Sequence, residues 1–179
     1  MEIPSRFAIP DSISFEGAIE LTQSLLAEVE QGHVSEPELE RIITALVQTE
    51  NGARGFFVTY LSDDRELMDE IGFHVVLGLL PAEEKVADLL TKNLAMSTAM
   101  ILTHTRNQKP ELAEGSARVQ RRSTYLIRRM MSKSVDRQLM ELKTSIESDG
   151  TYRDFLRRWQ YDDEQRSAIL HAIEHVRLN

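Results

Sequence analysis

From Asp11 onward, apolar residues recur at helical spacing. Phe15, Ile19, Leu25, Leu26 and Val29 form one stripe, and Gly32 after it supplies a left-handed C-cap. Ser35-Glu36-Pro37-Glu38 has the form of a capping box with proline in the first turn. Leu39, Ile42, Ile43, Leu46 and Val47 follow as a buried face, which Asn51-Gly52 ends. Residues 56–61 (Phe-Phe-Val-Thr-Tyr-Leu) have strand propensity. A lone strand has nothing to pair with, so the pattern predicts a turn over 52–61 running into helix. Ser62 or Asp63 then caps a helix with Leu67, Ile71, Val75 and Gly78 on one face.

Pro81 opens a long helix with Glu83-Glu84 in its first turn, where the helix dipole favours acids. It runs to about Thr105, a length of about 38 Å at 1.5 Å per residue. Pro110 or Ser116 restarts the chain. Residues 117–148 form one long helix, or two with a break near Ser132–Ser134. Asp149-Gly150 is a turn, and Thr151 with Asp154 and Asp162 with Gln165 are spaced as two further capping boxes. The last helix ends near Leu178. The predicted fold is all-α: a single-domain compact bundle of seven or eight helices over residues 11–179, with one or two long central helices. Residues 1–10 precede it as an extended segment.

Composition agrees with long helices. Glycine and proline number only 8 and 5 in 179 residues, against roughly 21 at average usage. The chain has no cysteine, which excludes disulfides, thiolate metal sites and a cysteine nucleophile. No run of apolar residues is long enough to span a bilayer, and Met1-Glu2-Ile3-Pro4 lacks the basic and apolar regions of a signal peptide. A cytoplasmic location is the expectation.

Charge sharpens the picture. The net charge is −8, but residues 1–92 hold 6 Lys/Arg against 18 Asp/Glu while residues 93–179 hold 15 against 11. The strongest local feature is basic: Arg118, Arg121, Arg122, Arg128, Arg129, Lys133 and Arg137, opposed by Asp136 alone. On a helical wheel six of these cations fall within about 140°, with Arg137 outside. Val119, Leu126, Ile127, Met130 and Met131 take the other side. Arginine forms bidentate contacts with carboxylates and phosphates. The six clustered cations are therefore a candidate interaction surface. Its partner is the acidic first half, another copy of the chain or an acidic protein. Nucleic acid is a poorer fit, because the chain as a whole is acidic and the segment interleaves no aromatic except Tyr125.

The remaining candidates are polar residues within apolar patterns. Asn93, Ser97 and His104 share the arc of Met96 and Met100 on the helix from Pro81, and His74 lies between Leu67, Ile71 and Gly78. Buried polar groups need hydrogen-bond partners. These residues either set helix register or, as His74, Asn93, Ser97, Met100 and His104, line a ligand pocket. Asn51 and Arg54 lie in a candidate loop, Asn51-Gly52-Ala53-Arg54-Gly55, where two glycines around an arginine can shape an anion-binding concavity or a plain helix–helix turn. His171-Ala172-Ile173-Glu174-His175 matches the inverted zinc-protease pattern. Too little chain follows to supply a third ligand, and both histidines point away from Ile169, Leu170, Ile173 and Val176. Di-iron chemistry needs two Glu-x-x-His motifs, and Glu30-Gln31-Gly32-His33 alone matches. The aromatics Tyr152, Phe155, Trp159 and Tyr161 fit packing. The sequence assigns no catalytic residue, no metal and no cofactor.

The segments 50–61 (Glu-Asn-Gly-Ala-Arg-Gly-Phe-Phe-Val-Thr-Tyr-Leu) and 92–100 (Lys-Asn-Leu-Ala-Met-Ser-Thr-Ala-Met) resemble an uncharacterised family of soluble cyanobacterial proteins. That resemblance implies no activity. The expected function is a non-enzymatic helical interaction or regulatory module that self-associates. The alternative is a small-ligand or cofactor pocket using His74 and His104.

Overall fold

The computed structural model describes residues 3–130 and 132–177; the predicted helix end at Leu178 and the apolar Met131 lie outside them. Among the described residues the chain is helical throughout, with no strand. The helices are α1 (Phe15–Glu30), α2 (Glu36–Leu46), α3 (Glu50–Ser62), α4 (Leu67–Glu70), α5 (Gly72–Leu79), α6 (Glu83–Arg106), α7 (Pro110–Met130), α8 (Lys133–Glu147), α9 (Arg153–Trp159) and α10 (Asp163–Arg177). Single 3-10 turns lie at Ser5–Phe7 and Leu80–Ala82. The first buries Phe7 ahead of the helices. The all-α expectation holds, with α6 and α7 as the two long helices. The backbone packs as two compact units, Met1–Val86 and Ala87–Asn179.

In the first unit α1 starts at the Ser14 cap, whose hydroxyl accepts from Gly17 N at 2.9 Å. Gly32 takes φ +72° after it, as the sequence predicts. The Ser35 box also forms, with Ser35 N donating to Glu38 Oε2 at 2.9 Å. The Ser35 hydroxyl, donating to the same oxygen at 2.7 Å, and then this backbone hydrogen bond hold the Glu38 carboxyl below its usual range.

The turn predicted over 52–61 is corrected to helix. Thr49 is the cap, accepting from Gly52 N at 3.0 Å, so Asn51-Gly52 opens α3 instead of ending α2. Phe56, Phe57, Tyr60 and Leu61 are all buried, at the i, i+1, i+4, i+5 spacing of one helix face. Phe56 stacks on Tyr60 with ring centroids 5.5 Å apart, and Tyr60 donates to Met68 O at 2.9 Å. Packing on that face overrides the local strand preference. The helix predicted after Ser62 is divided into α4 and α5 at Ile71.

Two close approaches build this unit. A Cβ on Gly55 would lie 2.5 Å from Ala18 Cβ on α1, and one on Gly78 would lie 2.8 Å from Ile43 Cβ on α2. Glycine at these positions lets α3 press on α1 and α5 on α2.

In the second unit Gln108, at φ 54°, turns the chain from α6 into α7, and Pro110 opens α7 at the earlier of its two predicted restarts. The α7–α8 break falls where predicted. Ser132 caps α8, its hydroxyl accepting from Ser134 N at 3.1 Å and Val135 N at 3.3 Å. Asp162 and Gln165 form the predicted reciprocal box at 3.0 and 2.9 Å. The Thr151 box does not form: Tyr152 is the cap of α9 and makes no side-chain cap bond, and Asp154 pairs with Arg153. The Tyr152 hydroxyl lies 3.0 Å from Asp88 and 2.7 Å from Gln138. Burial, with Asp88 beside it, raises the Tyr152 phenol above its ordinary range, so it stays neutral.

Candidate functional site

The basic segment becomes α7, and its burial divides the predicted cations. Leu126, Ile127 and Met130 are buried on one side. Arg122 is buried with them at 3% exposure, which removes it from the predicted contact surface. Arg118 is half-buried, and both Arg118 and Arg122 have partners within the molecule. Lys133 is exposed but starts α8, beyond the break. Arg121, Arg128 and Arg129 remain on the open side.

These three arginines line a groove that they share with residues of α10. Ile169, Ile173 and Val176 are its buried face, which leaves His171 and His175 exposed, as the wheel predicts. Ion pairs fix the helix in place: Lys143 lies 3.3 Å from Glu174 and Arg177 lies 2.7 Å from Asp136. Arg128 crosses from α7 to donate from Nη2 to the His175 carbonyl at 2.9 Å, near the negative end of the α10 dipole. Its Nε is enclosed without an acceptor among the described residues.

Between the two helices runs an open groove of about 720 Å³, with Arg121, Tyr125, Arg128 and Arg129 on one wall and Ala172 and His175 on the other. Gln120 and Thr124 complete the α7 wall. The Arg129 guanidinium lies over the Tyr125 ring, 5.4 Å from its centroid, a cation–π arrangement. Arg121 reaches Glu114 on its own helix at 3.2 Å, with both side chains more than half exposed. Among the described residues no carboxylate lines the groove. Its polar lining is therefore three guanidiniums, an imidazole, an amide and two hydroxyls, a set that offers hydrogen-bond donors and positive charge to an anion. Glu174 of the zinc-protease pattern is paired with Lys143, and no group of three metal-binding side chains occurs among the described residues.

The other candidates have local partners. His74 is half-buried, its Nδ1 2.9 Å from Glu40 and its Nε2 3.2 Å from Glu36, both on α2. Asn93 donates to Leu89 O at 2.8 Å and Ser97 to Asn93 O at 2.6 Å, within α6. Met100 and His104 are half-buried. None of the five lines the α7–α10 groove. Asn51 and Arg54 sit on a helix, not on the predicted loop. Asn51 donates to Ile13 O at 3.3 Å, and Arg54 lies over the Phe15 ring at 5.2 Å. Both therefore hold α3 to the segment around the start of α1. Sequence reasoning found the α7 wall but not that His175 and Ala172 face it. The exposed phase of His175 was the available signal, and the neighbour of α10 was not.

Among the described residues no helix is long and apolar enough to cross a membrane. A family model, Uncharacterised conserved protein UCP020893, matches residues 14–176. No curated protein and no solved structure matches the chain.

Proposed function

Because the chain belongs to the family of uncharacterised conserved protein UCP020893, we propose a function from its own residues: it is a non-enzymatic interaction module that holds an acidic protein segment in the α7–α10 groove. The observation that carries this reading is the lining itself. Arg121, Arg128, Arg129 and His175 gather with no carboxylate among them, in a chain that is acidic overall.

Guanidiniums take carboxylates through paired hydrogen bonds, and the Tyr125 ring gives an apolar floor beneath Arg129. One exposed ion pair contributes only about 0–1 kcal/mol, so useful affinity needs several contacts at once, and a groove supplies them where a lone helix face does not. A pocket built on His74 and His104 has weaker support, because both ring nitrogens of His74 face carboxylates of α2. The cytoplasmic setting and the kinship with soluble cyanobacterial proteins belong to the same proposal.

Fluorescence anisotropy with a labelled hexaglutamate peptide tests it. Binding at low salt is expected to weaken steeply between about 50 and 500 mM ionic strength. The double variant Arg121→Glu, Arg129→Glu is expected to lose at least about tenfold in affinity. Absence of binding at low salt, or binding that the double variant leaves unchanged, would overturn the reading. So would tighter, equally arginine-dependent binding of a DNA duplex.

A further inference from the structure

We infer that the acidic segment taken up by the groove belongs to a second copy of this chain: the α3–α5 connection, carrying Asp64, Glu66 and Glu70, together with Phe73 in the first turn of α5. This rests on the groove being an anion site.

Four observations point to that segment. First, Asp64, Glu66 and Glu70 are all exposed. Arg65, the cation among them in sequence, turns away to Glu30 at 3.4 Å and Asp63 at 3.7 Å. Among the described residues no ion pair engages the other three, so their charge faces solvent.

Second, Phe73 follows at once, 55% exposed. A large exposed aromatic beside unpaired acids is the composition of an interface anchor, since aromatic and arginine side chains dominate binding energy where they meet. Third, the groove offers the complement of both features. Arg121, Arg128 and Arg129 answer the carboxylates, and the Arg129–Tyr125 stack offers an aromatic side chain a flat, cationic surface.

Fourth, the charge divides with the backbone. Residues 1–86 hold 5 Lys/Arg against 17 Asp/Glu, whereas residues 87–179 hold 16 against 12. The acidic segment lies in the first unit and the groove in the second. Two copies approaching with unlike units together are steered into contact by the same field that weakens like-to-like encounters. Such a contact is heterologous, the groove of one copy meeting the α3–α5 connection of the next.

The test is sedimentation equilibrium of the full chain from about 1 to 200 µM, a range that brackets a micromolar contact, with two charge reversals. The groove variant is Arg121→Glu, Arg129→Glu, and the segment variant is Glu66→Lys, Glu70→Lys. All four residues are exposed, and unchanged helical circular dichroism identifies folded variants. The wild-type mass is expected to rise above one protomer with concentration and to fall back in high salt. Each variant alone is expected to stay monomeric, and Phe73→Ala to weaken association. An equimolar mixture of the two variants is expected to recover a one-to-one pair, because each supplies the partner that the other lacks.

A wild type of one-protomer mass throughout, including by docking within a single chain, would overturn the inference. So would variants that associate as the wild type does, or a mixture that stays monomeric. Should hexaglutamate still bind the groove of a strictly monomeric wild type, the second copy fails and the anion site stands. Should neither bind, both fall.

Discussion

Gly55 and Gly115 are both helical glycines, and substituting alanine at them has opposite expected outcomes. At Gly55 the new Cβ meets Ala18 Cβ at 2.5 Å and backbone at 3.0 Å. Neither neighbour can rotate aside, so α1 and α3 must separate, at a cost of about 1–3 kcal/mol. At Gly115 nothing lies within 4 Å, and alanine is expected to stabilise α7 by about 0.5–1 kcal/mol. Urea denaturation of the two variants checks both signs. Equal effects would mean that the α1–α3 approach is not as close as described. The contrast also shows what was legible. Gly32 and the Ser35 box were readable, because a cap depends on residues a few places apart. The role of Gly55 depends on Ala18, 37 positions away in the sequence, and no local pattern states that.

At the scale of elements, the sequence predicts a helix wherever periodicity and capping agree, and goes astray where propensity and periodicity conflict. Residues 56–61 carry strand formers, yet Phe56, Phe57, Tyr60 and Leu61 repeat with a helical period, and burial of that face decides the outcome. The junctions are individually testable. Ser132→Ala removes the acceptor for two α8 amides and is expected to cost about 1 kcal/mol.

Arg106 joins α6 to α10 by donating to Asp162 at 2.6 Å and by pairing with Glu164. The guanidinium holds the Asp162 carboxyl below its ordinary value of 3.8. A group depressed in the folded state stabilises fully above its unfolded pKa and loses that contribution as pH falls through its folded pKa. The Arg106–Asp162 contribution is therefore expected to be constant at neutral pH and to fade only below about pH 4. Thermal melts of wild type and Asp162→Asn should differ at pH 7 and converge as the buffer is taken toward pH 2. A gap that widens on acidification would contradict the pairing.

For the whole molecule, the informative quantity is the distribution of charge rather than its total of −8. Summed over the chain, charge argues against an anionic partner. Resolved onto the backbone, it gives one acidic unit and one basic unit, and the basic one carries a groove with no carboxylate in its lining among the described residues. The arginine-rich wall was legible as a run of cations on one face of a helix. The facing wall was not, because His175 and Ala172 reach the groove through the burial of Ile169, Ile173 and Val176, a tertiary fact. Nor could the wheel remove Arg122, which shares the arc of its neighbours yet is buried. Amide chemical-shift mapping on the full chain, with unlabelled hexaglutamate added at low salt, addresses the groove directly. The expected result is shifts concentrated at residues 120–129 and 172–175 that vanish in the Arg121→Glu, Arg129→Glu variant. Shifts centred elsewhere, or none at saturating peptide, would contradict an anion-binding groove between α7 and α10.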